Sequence, residues 1–132
     1  MDITERRNVL QVHPNPDSKI DYVVTLEGHL TLKPYGDRMN VVLRYVPDRH
    51  ILEAGSFGDY LDLVMQEEWP TPEALAVTIL SDVTNETVAR WLQLGISSGQ
   101  KQHHAIDSHG VTLEDRQPKW DNASLLSRMR KY

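Results

Sequence analysis

The stretch Asp21-Tyr22-Val23-Val24-Thr25-Leu26-Glu27-Gly28-His29-Leu30-Thr31-Leu32 decides how the rest of the chain is read. Tyr22, Val24 and Leu26 fall on one side of an extended chain. Gly28 interrupts the run, and Leu30 and Leu32 resume it. Period-two alternation with β-branched residues between predicts a long strand, bulged at the glycine and ending at Pro34. Tyr35-Gly36-Asp37 has turn chemistry. From Met39 to Val46 the alternation returns, with Val41, Leu43 and Tyr45 opposing Val42, Arg44 and Val46. Two such runs joined by a short turn form an antiparallel hairpin.

The period then changes. Phe57, Tyr60, Leu61 and Val64 repeat at i, i+3, i+4 and i+7, one apolar face of a helix that Glu67-Glu68-Trp69-Pro70 ends. Thr71 is the N-cap of a second helix, with Pro72 first and Glu73 in the opening turn. Leu75, Ala76, Ile79, Leu80 and Val83 supply its buried stripe. From Val88 to Ile96 the period is two again, followed by a turn at Ser97 to Gln100. Gln102 to Thr112 reads as a weaker fourth strand, and Ser124 to Arg128 as a short terminal helix. The order ββααββ predicts an α+β fold, with an antiparallel four-stranded sheet carrying two helices on one face. Residues 1–18, which include His13-Pro14-Asn15-Pro16, read as an N-terminal arm. Residues 19–112 form the domain, and residues 113–132 a polar tail.

Composition narrows the function classes. At 132 residues one domain is expected. No apolar run reaches the roughly 20 residues of a membrane helix. Met1 to Arg7 lacks the apolar stretch of a secretory signal, so a cytoplasmic protein with no membrane partner is expected. The absence of cysteine excludes disulfides, thiolate metal sites and a thiol nucleophile. A net charge of -5 argues against nucleic acid as a partner. Arg128-Met129-Arg130-Lys131 is too short a basic run to assign tRNA binding, and the sequence leaves tRNA open. His103, His104, Asp107 and His109 superficially suggest a metal cluster. Adjacent histidines on a strand point to opposite faces, so no metal site is expected there. Trp69, Trp91 and Trp120 read as packing or subunit-contact residues.

Three blocks carry a family resemblance. Asp21-Tyr22-Val23-Val24, Arg44-Tyr45-Val46-Pro47-Asp48 and Leu52-Glu53-Ala54-Gly55-Ser56-Phe57-Gly58-Asp59-Tyr60-Leu61 resemble successive blocks of the 7-cyano-7-deazaguanine reductases, the QueF family of the tunnelling fold. The likeness covers about residues 11 to 100. The most specific element is Tyr45-Val46-Pro47-Asp48 with Glu53 five residues after the aspartate. Members of that family reduce a nitrile to an aminomethyl group with NADPH in queuosine biosynthesis. A cysteine attacks the nitrile carbon and an aspartate supplies the proton.

The resemblance implies positions for these roles. Lys33, in Leu32-Lys33-Pro34, stands where the family has its cysteine, and Asp37 stands on the catalytic aspartate. Leu52, Glu53 and Ala54 match one substrate-recognition element. Glu73 matches the glutamate of a His-Glu pair, with Pro72 in place of the histidine, and Asp82 keeps its spacing to that glutamate. Gly55 and Gly58 stand where the family has lysines near NADPH, and Ser97-Ser98-Gly99 replaces an Arg-Gly-Gly turn. The expectation is therefore a homo-oligomer with sites between subunits. It would bind a 7-deazaguanine, or a related purine or pterin ring, without NADPH-dependent nitrile reduction. The alternative is an enzyme acting on 7-cyano-7-deazaguanine, with Lys33 adding to the nitrile and Asp37 as acid.

Residue by residue, simpler readings compete. Lys33 is also a solvated strand-end cation, Asp37 a turn residue, Glu73 a helix-capping acid, and Glu53 the start of the first helix.

Overall fold

The computed structural model describes residues 2–99 and 103–129. In chain order the elements are α1 (Ile3–Val9), β1 (Val12–Pro14), β2 (Val24–Leu32), β3 (Asp37–Val46) and β4 (His50–Leu52). They continue with α2 (Ala54–Val64), α3 (Pro72–Thr87), β5 (Trp91–Ser98), β6 (His109–Arg116) and α4 (Ala123–Ser127). The architecture is α+β. One antiparallel sheet has the order β2-β3-β5-β6, and a second pairs β1 with β4. Among the described residues no helix is long and apolar enough to cross a membrane.

Register explains which face is buried. Leu26 pairs with Leu43, Leu43 with Leu94, and Leu94 with Leu113; Val41 pairs with Ile96, and Ile96 with Val111. These side chains lie on one face of the sheet. Phe57, Tyr60, Leu61 and Val64 of α2 close over it, with Leu75, Ala76, Ile79 and Val83 of α3. The opposite face presents Thr25, Glu27, Asn40, Gln93 and Thr112, a polar surface. The α+β class and the four-stranded antiparallel sheet are those expected from hydrophobic period, with two further short strands and two further short helices beside them.

Several expectations need correction. The first strand starts at Val24, not Asp21, and it carries no bulge at Gly28, because Glu27, Gly28 and His29 pair in unbroken register with Val42, Val41 and Asn40. The glycine has another purpose. A Cβ there would sit 3.1 Å from Leu61 Cδ1, so its absence lets α2 lie close to the sheet. The fourth strand runs from His109 to Arg116 rather than from Gln102 to Thr112. Its apolar signal is Val111 and Leu113, which face Ile96 and Leu94, so the chain after Thr112 is sheet and not tail. Gln100 and Gln102 lie outside the described residues, as do Arg130 and Lys131 of the basic run.

Residues 1–18 are more than an arm. Asp2 caps α1 by accepting from the Glu5 amide at 2.9 Å. The helix buries no residue of its own. Partly buried Val9 packs against the core, and charge attaches the rest. Arg6 Nε and Arg7 Nε each donate to the Asp82 carboxylate at 2.9 Å, and Tyr60 Oη donates to the same group at 2.6 Å. Asp82 and Tyr60 are both fully buried. Burial pushes the Asp82 carboxyl up, but the hydrogen bonds from Arg6, Tyr60 and Arg7 outweigh it and leave it below its ordinary value. Burial, and then donation to Asp82, push the Tyr60 phenol up.

Turn and cap chemistry follow local residue choice. Leu32 pairs with Asp37 across the loop Lys33 to Gly36, where Gly36 takes φ 77°. Thr71 Oγ1 accepts from the Ala74 amide at 3.1 Å, with Pro72 next, the cap expected from sequence. At the other end of α3, Val88 is the left-handed C-cap with φ 47°, an unusual place for a β-branched residue.

A polar clasp closes the far side of the molecule. The Asp21 carboxylate accepts from Arg90 Nη1 at 3.0 Å, Trp120 Nε1 at 3.1 Å and Asn122 Nδ2 at 3.0 Å. Arg90 Nη2 also donates to the Ser18 carbonyl at 2.6 Å, and Gln117 Nε2 to Asp48 Oδ2 at 3.0 Å. Burial works against the Asp21 anion, but its donors prevail and its carboxyl titrates below the usual value. The residues between β6 and α4 are thus joined to the chain just before β2.

Candidate ligand-binding site

The β2–β3 turn and the loop before α3 meet at one end of the sheet. The Trp69 amide donates to the Lys33 carbonyl at 2.9 Å, and Lys33 forms a backbone bridge with Glu68. Tyr35 Oη donates to the Pro70 carbonyl at 3.1 Å. Between these segments and the ends of β3, β5 and β6 lies a cavity of about 250 Å³. Leu32, Tyr35, Met39, Pro70 and Pro72 provide apolar and aromatic wall, and Asp37, Thr71, Ser98 and His109 provide polar groups. The volume lies below the roughly 300–1,000 Å³ of pockets for drug-sized ligands, so it suits a bare ring better than a whole nucleotide. Among the described residues no lysine or arginine lines it.

Asp37, half-buried, opens β3 and lines the cavity. Glu73 is in the first turn of α3 and exposed. Its Oε1 lies 2.5 Å from His109 Nε2, a contact between the start of α3 and the start of β6. His109 pairs across the sheet with Ser98, and both line the cavity. Asp37 and Glu73, the two carboxylates singled out at this end, are therefore linked to one cavity, Asp37 directly and Glu73 through His109. Carboxylates accept N–H donors, and an imidazole nitrogen donates or accepts according to its tautomer. A flat ring with N–H groups on its edge suits such a lining.

The remaining candidates lie elsewhere. Lys33 is at the same end of the sheet, but its exposed side chain is not part of the cavity wall. Leu52, Glu53 and Ala54 are at the opposite end. The Leu52 amide donates to Tyr45 Oη at 2.8 Å, and Tyr45 is eight residues along β3 from Asp37, roughly 27 Å at strand rise. Glu53 is the N-cap residue of α2 without a side-chain cap bond, and its Oε2 lies 3.5 Å from His13 Nε2. Gly55 and Gly58 follow in the first turns of α2, on the same side of the molecule as Glu53. Asp82 is the buried anchor of α1 described above.

A larger depression of about 400 Å³ crosses the polar sheet face. Among the described residues Arg44 is its only charged lining residue, and it contains none of Lys33, Asp37, Glu53 and Glu73. The cavity at the sheet end has the more useful chemistry despite being smaller.

His103 and His104 are in a turn, not on a strand, and their rings stack 4.3 Å apart between centroids. Among the described residues no three His, Asp or Glu side chains are placed to hold a metal ion. No local pattern links His109 to Glu73, because the two are 36 residues apart. One signal was available: His109 shares parity with Val111 and Leu113, which puts it on the buried face of β6.

No protein-family model matches this chain, and no curated protein is detectably similar to it.

Proposed function

We propose that this chain is a divergent, QueF-like tunnelling-fold protein that binds a 7-deazaguanine or related purine or pterin ring in the cavity at the end of the sheet. One observation carries the reading. Asp37 lines a ring-sized cavity, and Glu73, which lies outside its wall, contacts the lining residue His109. The α+β architecture, with β2 and β3 before the two long helices, β5 and β6 after them, and both helices packed on the sheet core, supports the same reading.

On this proposal NADPH-dependent nitrile reduction has been lost. It has no thiol to form a thioimide. Glycines occupy the positions of the family's cofactor-contacting lysines, and cations matter greatly to a multiply charged phosphate ligand. Lys33, exposed outside the cavity wall, gives no support to an alternative addition at the nitrile.

Glu53 lies too far from Asp37 in one chain to share a ligand with it. A site using both residues draws Glu53 from a second copy, so the working form is a homo-oligomer. The free edges of β2 and β6 suit such an assembly.

Isothermal calorimetry with 7-cyano-7-deazaguanine, guanine and pterin is the test. Binding of at least one ring below millimolar, weakened by Asp37→Asn, is expected. If every ring fails to bind at millimolar concentration, the proposal is wrong.

A further inference from the structure

Among the described residues the cavity wall contains one titratable side chain besides Asp37 and Tyr35, and that is His109. Its Nε2 is held by Glu73 Oε1 at 2.5 Å. An acceptor as strong as a carboxylate favours the tautomer with the proton on Nε2, as second partners do for imidazoles generally. That leaves Nδ1 as the ring atom for a further hydrogen bond. Glu73 itself is not part of the wall, so the ligand meets this pair through the imidazole.

Backbone placement restrains the arrangement from both sides. His109 opens β6 directly opposite Ser98, whose residue is 96% buried, and the β5–β6 register is continuous from there to Arg116. Glu73 is in the first turn of a helix capped by Thr71 and Pro72. Neither residue depends on a long loop for its position. Both side chains retain substantial exposure, 40% for His109 and 55% for Glu73, so the contact is not needed to fill the core. Exposed pairs contribute little to folding, so this contact can be altered without loss of the fold, and His109 is the member of the pair that lines the cavity.

We infer that His109 is the positioning and specificity residue of this cavity: Glu73 locks its tautomer, and Nδ1 accepts an N–H from the bound ring. The inference rests on the ring-binding reading and deepens it. Asp37, at the start of β3 with β5 between it and β6, is then a second acceptor. The preferred ligand is a heterocycle with N–H donors on two edges, and rings that present only acceptors are disfavoured.

The test has two independent arms. In the first, imidazole ¹⁵N NMR of the full chain without ligand reports the His109 tautomer. An Nε2-protonated signal is expected, shifting toward a tautomer mixture in Glu73→Gln. A tautomer mixture already in the unsubstituted protein overturns the inference, whatever the ligand results. In the second, pterin and 7-cyano-7-deazaguanine are titrated into the protein, His109→Ala and His109→Gln. Loss of one hydrogen bond in a charge-linked pair should weaken binding by about tenfold or more in His109→Ala. His109→Gln, which keeps a donor toward Glu73 and an acceptor, should recover most of that loss. Melting temperatures of both variants should stay near that of the parent. Equal ring affinity in the parent and His109→Ala removes the inference and leaves the ring-binding reading standing. No ring binding by the parent removes the reading as well, with the tautomer result still deciding whether Glu73 locks the imidazole.

Discussion

Replacing Asp82 by alanine should cost about 3–5 kcal/mol of folding stability, and the parts of that figure can be separated. The carboxylate is 1% exposed and accepts from Arg6, Arg7 and Tyr60. Tyr60 is fully buried, so its hydroxyl would be left without an acceptor, at about 1–3 kcal/mol. Arg6 and Arg7 are 13% and 21% exposed. They can swing toward water, so each loses less than an ion trapped in the interior, about 1 kcal/mol. For a domain of this length, 1 kcal/mol corresponds to roughly 3–5 °C, so the melting temperature should fall by about 10–20 °C. Asp82→Asn keeps one acceptor for Tyr60 and should lose about half as much.

Thermal and urea unfolding measure the loss. Hydrogen exchange localises it, because α1 has no buried residue and its amides should lose protection first. A double-mutant cycle with Tyr60→Phe should return a coupling of at least about 1 kcal/mol. Were Asp82→Ala within about 1 kcal/mol of the parent, or the two substitutions strictly additive, the account of this network would be wrong.

Val88→Asn, at an exposed left-handed cap, should raise stability by about 0.5–1 kcal/mol in thermal denaturation; an unchanged or lower melting temperature would contradict backbone strain there. Gly28→Ala should lower stability by about 1 kcal/mol despite alanine's better strand propensity, because its Cβ meets Leu61 in a filled core; the loss should shrink in a Leu61→Ala background. Asp82 and Asp21 both titrate below their ordinary values, so the stability they contribute is complete above the unfolded carboxylate range near pH 4 and drains away as pH falls through their folded values. Urea midpoints measured from pH 6 down to pH 3 should fall less steeply in Asp82→Asn and Asp21→Asn, and slopes identical to the parent's would refute the assignment.

The elements that sequence disclosed are those whose signal is local. Thr71-Pro72-Glu73 and the stripe Leu75, Ala76, Ile79, Val83 define α3 without reference to anything distant, and β3 declares itself through Val41, Leu43 and Tyr45. What escaped depends on pairs remote in the chain. Helix α1 has too little apolar surface to be noticed and is held by Arg6 and Arg7 across about 75 positions to Asp82. Strand β6 was displaced because the histidines before it obscure its start, while Leu113 identifies itself only once Leu94 is opposite. Gly28 breaks an alternating run, and sequence alone does not distinguish a bulge from a close helix. At the site, Asp37 and Glu73 were chosen individually. Their shared relation to one cavity needed His109, whose contact with Glu73 no local pattern contains.

The Asp21 clasp bears on the order in which the chain can be finished as it is made. Asn122 is 101 positions after Asp21, and Trp120 is 99. At the usual 5–20 residues per second, a ribosome needs about 5–20 s to travel from the aspartate to these donors. Arg90 emerges earlier, 69 positions on, and can hold the carboxylate meanwhile. During that interval β2 and β3 can pair, but the segment leading into β2 is only partly secured. Translation speed across residues 90 to 122 therefore sets how long a nascent chain presents this unfinished side to its surroundings.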